Sequence, residues 1–131
     1  NNSTLAGHVT VGDHVTLAGM VAVHQFCKIG RHSFIAGGSL VRKDVPPFVK
    51  AAREPISYVG INSVGLRRRG FTKEKINEIQ DIYRILYQKN NNNTNSILII
   101  ETDMPISDER DEIITFVQKS VRGIMRGYKP I

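Results

Sequence analysis

Written in sixes, Leu5 to Val41 reads LAGHVT VGDHVT LAGMVA VHQFCK IGRHSF IAGGSL V. Each group opens on an aliphatic residue: Leu5, Val11, Leu17, Val23, Ile29, Ile35 and Val41. The next residue is small at Ala6, Gly12, Ala18, Gly30 and Ala36, with His24 and Arg42 as the exceptions. The fifth position is small or β-branched throughout: Val9, Val15, Val21, Cys27, Ser33, Ser39 and Val45. A helix needs apolar spacings of three and four, and a lone strand a spacing of two, so neither accounts for a period of six. A hexapeptide repeat marks a parallel β-helix in which each hexad supplies one short strand and one tight turn. Three hexads close a triangular coil, so positions 18 apart stack one strand spacing, about 4.8 Å, from each other. So short a stack needs capping or partner subunits.

Working outward from the repeat, three segments follow. Residues 1–47 are the coils. Pro46 and Pro47 withdraw two backbone donors, which is expected to stop the strand ladder. Residues 48–70, with Gly60, Gly65 and Gly70, read as an irregular crossing segment with room for a short strand at 48–52. Residues 71–131 read as a small α-helical domain. There Thr72 is an N-cap, and Ile76, Ile79, Ile82, Tyr83, Leu86 and Tyr87 form a helical stripe. Asn90 to Asn93, with Thr94 and Asn95, break that helix. Ile97 to Ile100 fit a strand by composition, but the helical neighbourhood favours a buried turn. Ser107 caps a last helix whose first turn is acidic (Asp108, Glu109, Asp111, Glu112), as a helix N-terminus prefers. Ile113, Ile114, Phe116, Val117 and Val121 give its buried face and Gly123 its end; the tail (Arg122, Arg126, Lys129) is basic.

The repeat is already in phase by Leu5 and the first residue is Asn1, which reads as a piece of a longer coil cut upstream. No apolar run approaches the roughly 18 residues of a membrane span, and no signal-peptide pattern is present. Cys27 is the single cysteine; its place in the repeat predicts a buried thiol filling a corner. Net charge is +6, from 18 basic and 12 acidic side chains among 131 residues. That balance suits an anionic partner, but no RRM, helix-turn-helix or zinc-finger spacing occurs, and a nucleic acid is set aside.

All four histidines lie in the repeat. His14 and His32 are 18 apart and stack in one column, each expected to be solvated. His24 takes a position that five other hexads give to Gly or Ala, and local rule-breaking is where functional sites concentrate. Gly7 and Gln25 share a column flanked by His8 and His24, a polar stripe on one edge of an aliphatic prism. Gly7 leaves its backbone N–H open, as an oxyanion contact requires, or is simply a turn glycine. Arg67-Arg68-Arg69 offers bidentate phosphate contacts or is a solvated basic loop. No metal-ligand spacing occurs.

These residues carry a resemblance. Asn1-Asn2-x-Thr4-Leu5-Ala6-Gly7-His8-Val9, Ala22-Val23-His24-Gln25-Phe26-Cys27, Asp44-Val45-Pro46-Pro47, Gly60-Ile61-Asn62 and Gly65-Leu66-x-Arg68-Arg69-Gly70-Phe71 together resemble the acyl-carrier-protein-dependent UDP-N-acetylglucosamine O-acyltransferases. Ser120-x-Arg122-Gly123-Ile124 resembles the family's last helix. The resemblance implies a left-handed parallel β-helix followed by a small α-helical C-terminal domain, in a cytoplasmic homotrimer with active sites between subunits. The implied reaction moves an (R)-3-hydroxyacyl group from acyl carrier protein to the 3-hydroxyl of UDP-N-acetylglucosamine, the first step of lipid A biosynthesis. No metal or redox cofactor is implied.

By the same resemblance Gly7 supplies the oxyanion N–H, His8, His24 and Gln25 line the substrate site, and Asn62, Arg68 and Arg69 lie near the nucleotide phosphates. Gly37 takes the chain-length position, where glycine leaves room for roughly fourteen carbons or more. Val64 departs from a glutamate common in the family. The family's general-base histidine lies one coil before the position of Gly7, upstream of Asn1. The alternatives are a sibling hexapeptide N-acyltransferase, or a trimerising, ligand-binding piece without turnover.

Overall fold

The computed structural model describes residues 3–88 and 92–127. Asn1, Asn2, Asn90, Asn91 and Lys129 lie outside the described residues. Seven two-residue strands mark the hexads: β1 (Thr4–Leu5), β2 (Thr10–Val11), β3 (Thr16–Leu17), β4 (Ala22–Val23), β5 (Lys28–Ile29), β6 (Phe34–Ile35) and β7 (Leu40–Val41). They pair in parallel at an offset of 18, with Leu5 beside Val23, Val11 beside Ile29, Leu17 beside Ile35 and Val23 beside Val41. Three faces result, β1-β4-β7, β2-β5 and a longer sheet that begins β3-β6.

Burial deepens along the stack. Leu5 and Val11 are exposed, Leu17 is half-buried, and Val23, Ile29, Ile35 and Val41 are sealed. The fifth-position residues Val21, Cys27, Ser33, Ser39 and Val45 fill the corners between them. Ser33 is tolerated there because its hydroxyl donates to the carbonyls of Gly30 and Pro46. The Cys27 thiol donates weakly to the Val41 carbonyl, and burial pushes its pKa up.

One regularity of the backbone has no counterpart in residue type. His8, His14, Met20, Phe26 and His32 all have φ between 59° and 66°, and Gly38 continues the series at 74°. Each hexad therefore turns through the left-handed region, although five of these six turns use a side chain that pays for it in strain.

The prolines do not stop the ladder. Pro46 and Pro47 lie buried at a corner, and β8 (Val49–Ala52) pairs parallel with β6 at an offset of 16, Phe34 beside Lys50. The proline corner is two residues shorter, and the coil simply resumes. Nor is 48–70 irregular. After β8 the chain reverses into β9 (Ser57–Ile61), antiparallel to β8, and enters a short helix α1 (Ser63–Arg68).

Three helices follow: α2 (Lys73–Leu86), α3 (Asn93–Asp103) and α4 (Asp108–Lys119). Thr72, Asn92 and Ser107 cap them through their side chains, each accepting from the N–H three residues on. The Ile97–Ile100 stretch is helical, within α3. Tyr83, fully buried on α2, donates to the Pro47 carbonyl, and Arg31 clasps Glu112 of α4 at 2.8 Å. Those contacts tie the helices to the stack.

The last helix ends earlier than its sequence suggests. Its C-cap is Ser120, not Gly123, and Ser120–Ile124 is not helical. Val121 accordingly leaves the buried face and is 96% exposed. The Ser120 hydroxyl donates instead to the buried Asp44 carboxylate at 2.6 Å, whose other oxygen accepts the Lys28 N–H. From there residues 120–127 run as a strap over the end of the stack. Asp44 N–H donates to the Gly123 carbonyl and Met125 N–H to that of Asp44, and β10 (Arg126–Gly127) pairs parallel with β9.

Candidate functional site

The register assembles the first cluster. Continuing the pairing of β1 with β4 sets Gly7 beside Gln25 and His8 beside Phe26. The Phe26 N–H donates to the Gly7 carbonyl, and the His8 and Phe26 rings stack at 5.0 Å with planes 4° apart. Gly7, His8, His24, Gln25 and Phe26 are all exposed, so this corner forms a continuous accessible edge. A Cβ placed on Gly7 would meet nothing within 4 Å, so the backbone there is open to approach.

The structure also explains why His24 breaks the small-residue rule. At Gly12 a Cβ would stand 2.6 Å from the Arg31 nitrogen, and at Gly30 2.4 Å from the Pro47 nitrogen. Small residues are compulsory in that column because the next coil's backbone crosses it. His24 belongs to another column, Ala6–His24–Arg42, whose outward positions face solvent. Both exceptions to the rule therefore sit on one corner, directly above one another. The departure marks an edge, not a single residue.

His32 corrects an expectation. It does stack on His14, at 4.9 Å, but it is 5% exposed and not solvated. Phe48 covers it face to face at 6.0 Å and Phe71 edge-on at 5.1 Å. Burial first, then the charges of Arg31, His14 and Arg69, lower its pKa from 6.5 to about 4, with Asp13 opposing. The imidazole is a neutral packing element. Its carbonyl accepts from the Asn62 side-chain amide at 2.9 Å.

That bond defines the second cluster. Asn62 is buried; its amide nitrogen holds the His32 carbonyl while its oxygen accepts the Gly65 N–H at the start of α1. Gly65 must lack a side chain, because a Cβ would stand 2.5 Å from the Asn62 amide. Asn62 thus fixes α1 to the stack, and α1 presents Arg67 and Arg68 in its last turn with Arg69 as C-cap. All three arginines are exposed and belong to a helix end, not a loop. Cations suit the carbonyl-rich end of a helix, so part of their presence is structural. Val64 faces solvent on the same helix, half exposed.

The two clusters stand at different corners of one chain. Gly7, His24 and Gln25 follow β1 and β4, whereas Asn62 grips the turn after β5. No described hydrogen bond, ion pair or ring contact joins them. Gly37 lies at the third corner, exposed, with a Cβ position 3.2 Å from the Gly19 carbonyl. Among the described residues no group of three or more His, Cys, Asp or Glu could hold a metal. No helix among them is long and apolar enough to cross a membrane.

Residues 44–125 match the family model described as UDP N-acetylglucosamine O-acyltransferase, domain 2. The chain is 41% identical over 118 residues to an acyl-[acyl-carrier-protein]–UDP-N-acetylglucosamine O-acyltransferase of Myxococcus xanthus, covering 90% of this chain and 46% of the relative. A protein of the same name from Aliivibrio salmonicida is 43% identical over 126 residues, covering 96% and 48%. The fold superposes on the crystal structure of a UDP-N-acetylglucosamine acyltransferase from Bacteroides fragilis with a TM-score of 0.94 at 42% identity, covering 96% of this chain and 49% of that one. The chain thus spans about half the length of the curated relatives it matches.

Proposed function

This chain belongs to the UDP-N-acetylglucosamine O-acyltransferase family, and from that premise we propose that it forms part of an enzyme acylating UDP-N-acetylglucosamine. The donor is an (R)-3-hydroxyacyl group on acyl carrier protein, the acceptor is the glucosamine 3-hydroxyl, and the step opens lipid A biosynthesis in the cytoplasm. The family match is the observation that carries the reading. The coil is left-handed, as the family's is, and residues 71–131 act as its helical C-terminal domain.

In this reading the Gly7 N–H meets the oxyanion that forms as the sugar hydroxyl attacks the thioester. Preorganised donors of this kind typically contribute 10²–10³ in rate. His8, His24 and Gln25 hold the sugar along the exposed edge. Arg68 and Arg69 reach the diphosphate; Asn62, its amide engaged on both sides, acts by fixing the helix that carries them. The general base is a histidine outside these 131 residues. One chain keeps the two clusters on separate corners, so a site using both takes one from each of two copies. That geometry supports a homotrimer with shared active sites.

The test is acyl transfer by the full-length protein from (R)-3-hydroxyacyl carrier protein to UDP-N-acetylglucosamine. Transfer to an amine acceptor instead would assign the protein to the sibling N-acyltransferases. The 131 residues alone should turn over at least about a hundredfold more slowly, the usual contribution of a general base. Near-full activity of that piece would show that the base lies within it.

A further inference from the structure

The strap and the β8–β9 turn enclose a pocket that the proposed acyl transfer does not use. Leu40, Pro55, Ile56 and Ile124 line it together with Arg42, Lys43 and Arg126, around a volume of about 270 Å³. That is just below the roughly 300–1,000 Å³ of sites for drug-sized ligands, so it suits one slender chain and not a bulky ring system.

The charge around it is one-sided. Arg122 reaches the same place, donating to the Arg42 carbonyl while Lys43 donates to the carbonyl of Arg122. Both bonds end on neutral carbonyls and leave the cations uncompensated. Glu54 pairs with Arg42 at 2.9 Å. Asp44 is 1% exposed, and its carboxylate is taken up by Ser120 and the Lys28 N–H. Against the four cations Arg42, Lys43, Arg122 and Arg126, Glu54 is the carboxylate at the rim.

We propose that this pocket binds a single-chain amphiphile with one anionic head, its chain against Leu40, Pro55, Ile56 and Ile124 and its head held by Arg42, Lys43 and Arg126. The apolar wall gives the chain a place to leave water, and the guanidinium forks match a carboxylate or phosphate head. Arg42 lies one coil beyond His24 in the same column, and Lys43 one coil beyond Gln25. Occupancy is therefore felt at the rung on which the exposed edge rests.

Calorimetric titration of the full chain with laurate, dodecyl phosphate and dodecanol, each below its micelle concentration, tests this. Saturable one-to-one binding of laurate or dodecyl phosphate is expected, with dodecanol at least tenfold weaker; the stronger of the two anions identifies the head. Arg126→Glu, at an exposed position, should weaken the anion at least tenfold with an unchanged circular dichroism spectrum. Ile124→Trp should fill the pocket and weaken both anion and alcohol; if that variant unfolds, Arg126→Glu decides alone. Dodecanol binding as tightly as the anions, anion binding indifferent to Arg126→Glu, or no saturable binding would each overturn the proposal. No acyl donor or nucleotide sugar enters the assay, so its failure leaves the acyltransferase reading untouched.

Discussion

His32 should make folding stability depend on pH in a window that its burial sets. Its pKa is about 4 in the folded chain against an ordinary 6.5. Above pH 6.5 the imidazole is neutral in both states and contributes no pH dependence. Between 6.5 and 4 the unfolded chain binds a proton that the folded chain refuses, so stability falls as pH falls. Below 4 both states are protonated and the dependence ends. A proton held some two and a half decades less tightly corresponds to about 3 kcal/mol, a large share of a typical total of roughly 5–15 kcal/mol. His32→Phe is the matched control. Phe26 occupies the equivalent hexad turn at φ 66°, beside 61° at His32, so the ring fits the backbone and the stacking on Phe48 survives. Urea unfolding of both proteins from pH 7.5 to 4 should show the wild type losing about 3 kcal/mol relative to the variant. Carboxylates that titrate near the lower limit are common to both and cancel. Parallel stability profiles, or an imidazole NMR titration centred near 6.5, would refute the account.

The remaining predictions address the stack, the strap and the acyl pocket. Gly30→Ala places a methyl within 2.4 Å of Pro47 backbone, whereas Gly7→Ala meets nothing; thermal unfolding should show a loss of about 1–3 kcal/mol or more for the first and within about 0.5 for the second. Asp44→Ala leaves the Lys28 N–H and the Ser120 hydroxyl without their acceptor; it should cost about 3 kcal/mol and speed hydrogen exchange at the Met125 amide, and unchanged exchange would mean the strap holds without it. Gly37→Met in the full-length protein should shift donor preference to shorter acyl chains, and an unchanged profile would remove Gly37 from the acyl pocket. Because its Cβ would stand 3.2 Å from the Gly19 carbonyl, melting must be followed alongside.

The parts of the fold legible in the sequence are those whose cause is local or periodic. The hexad anchors, the corner residues and the caps at Thr72 and Ser107 need only neighbours at fixed spacing. Non-local pairing hid the rest. Val49-Lys50-Ala51-Ala52 carries too little pattern to announce a strand, and its partner β9 begins only after an intervening four-residue turn. His32 looked solvated because the ring that closes over it, Phe71, lies 39 positions away in sequence. Gly123 does adopt the left-handed conformation a helix terminator would use, φ 85°, but spends it in the strap. Ser120 had already left the helix for Asp44, a partner 76 residues upstream.

The site divides the same way. Residues of the edge were placed by arithmetic, since a translation of 18 puts Gly7 on Gln25 and His24 on Arg42 whatever the handedness of the coil. The arginines were legible as a charge but not as a helix end, because α1 depends on Asn62 reaching back 30 residues to the His32 carbonyl. That dependence joins two features that look separate in the sequence. The buried imidazole holds the turn whose carbonyl Asn62 grips, and Asn62 holds the helix that presents Arg68 and Arg69. Protonating His32 in the interior therefore loosens the phosphate-side arginines before it unfolds the stack, while the Gly7–Gln25 edge at the opposite corner keeps its register.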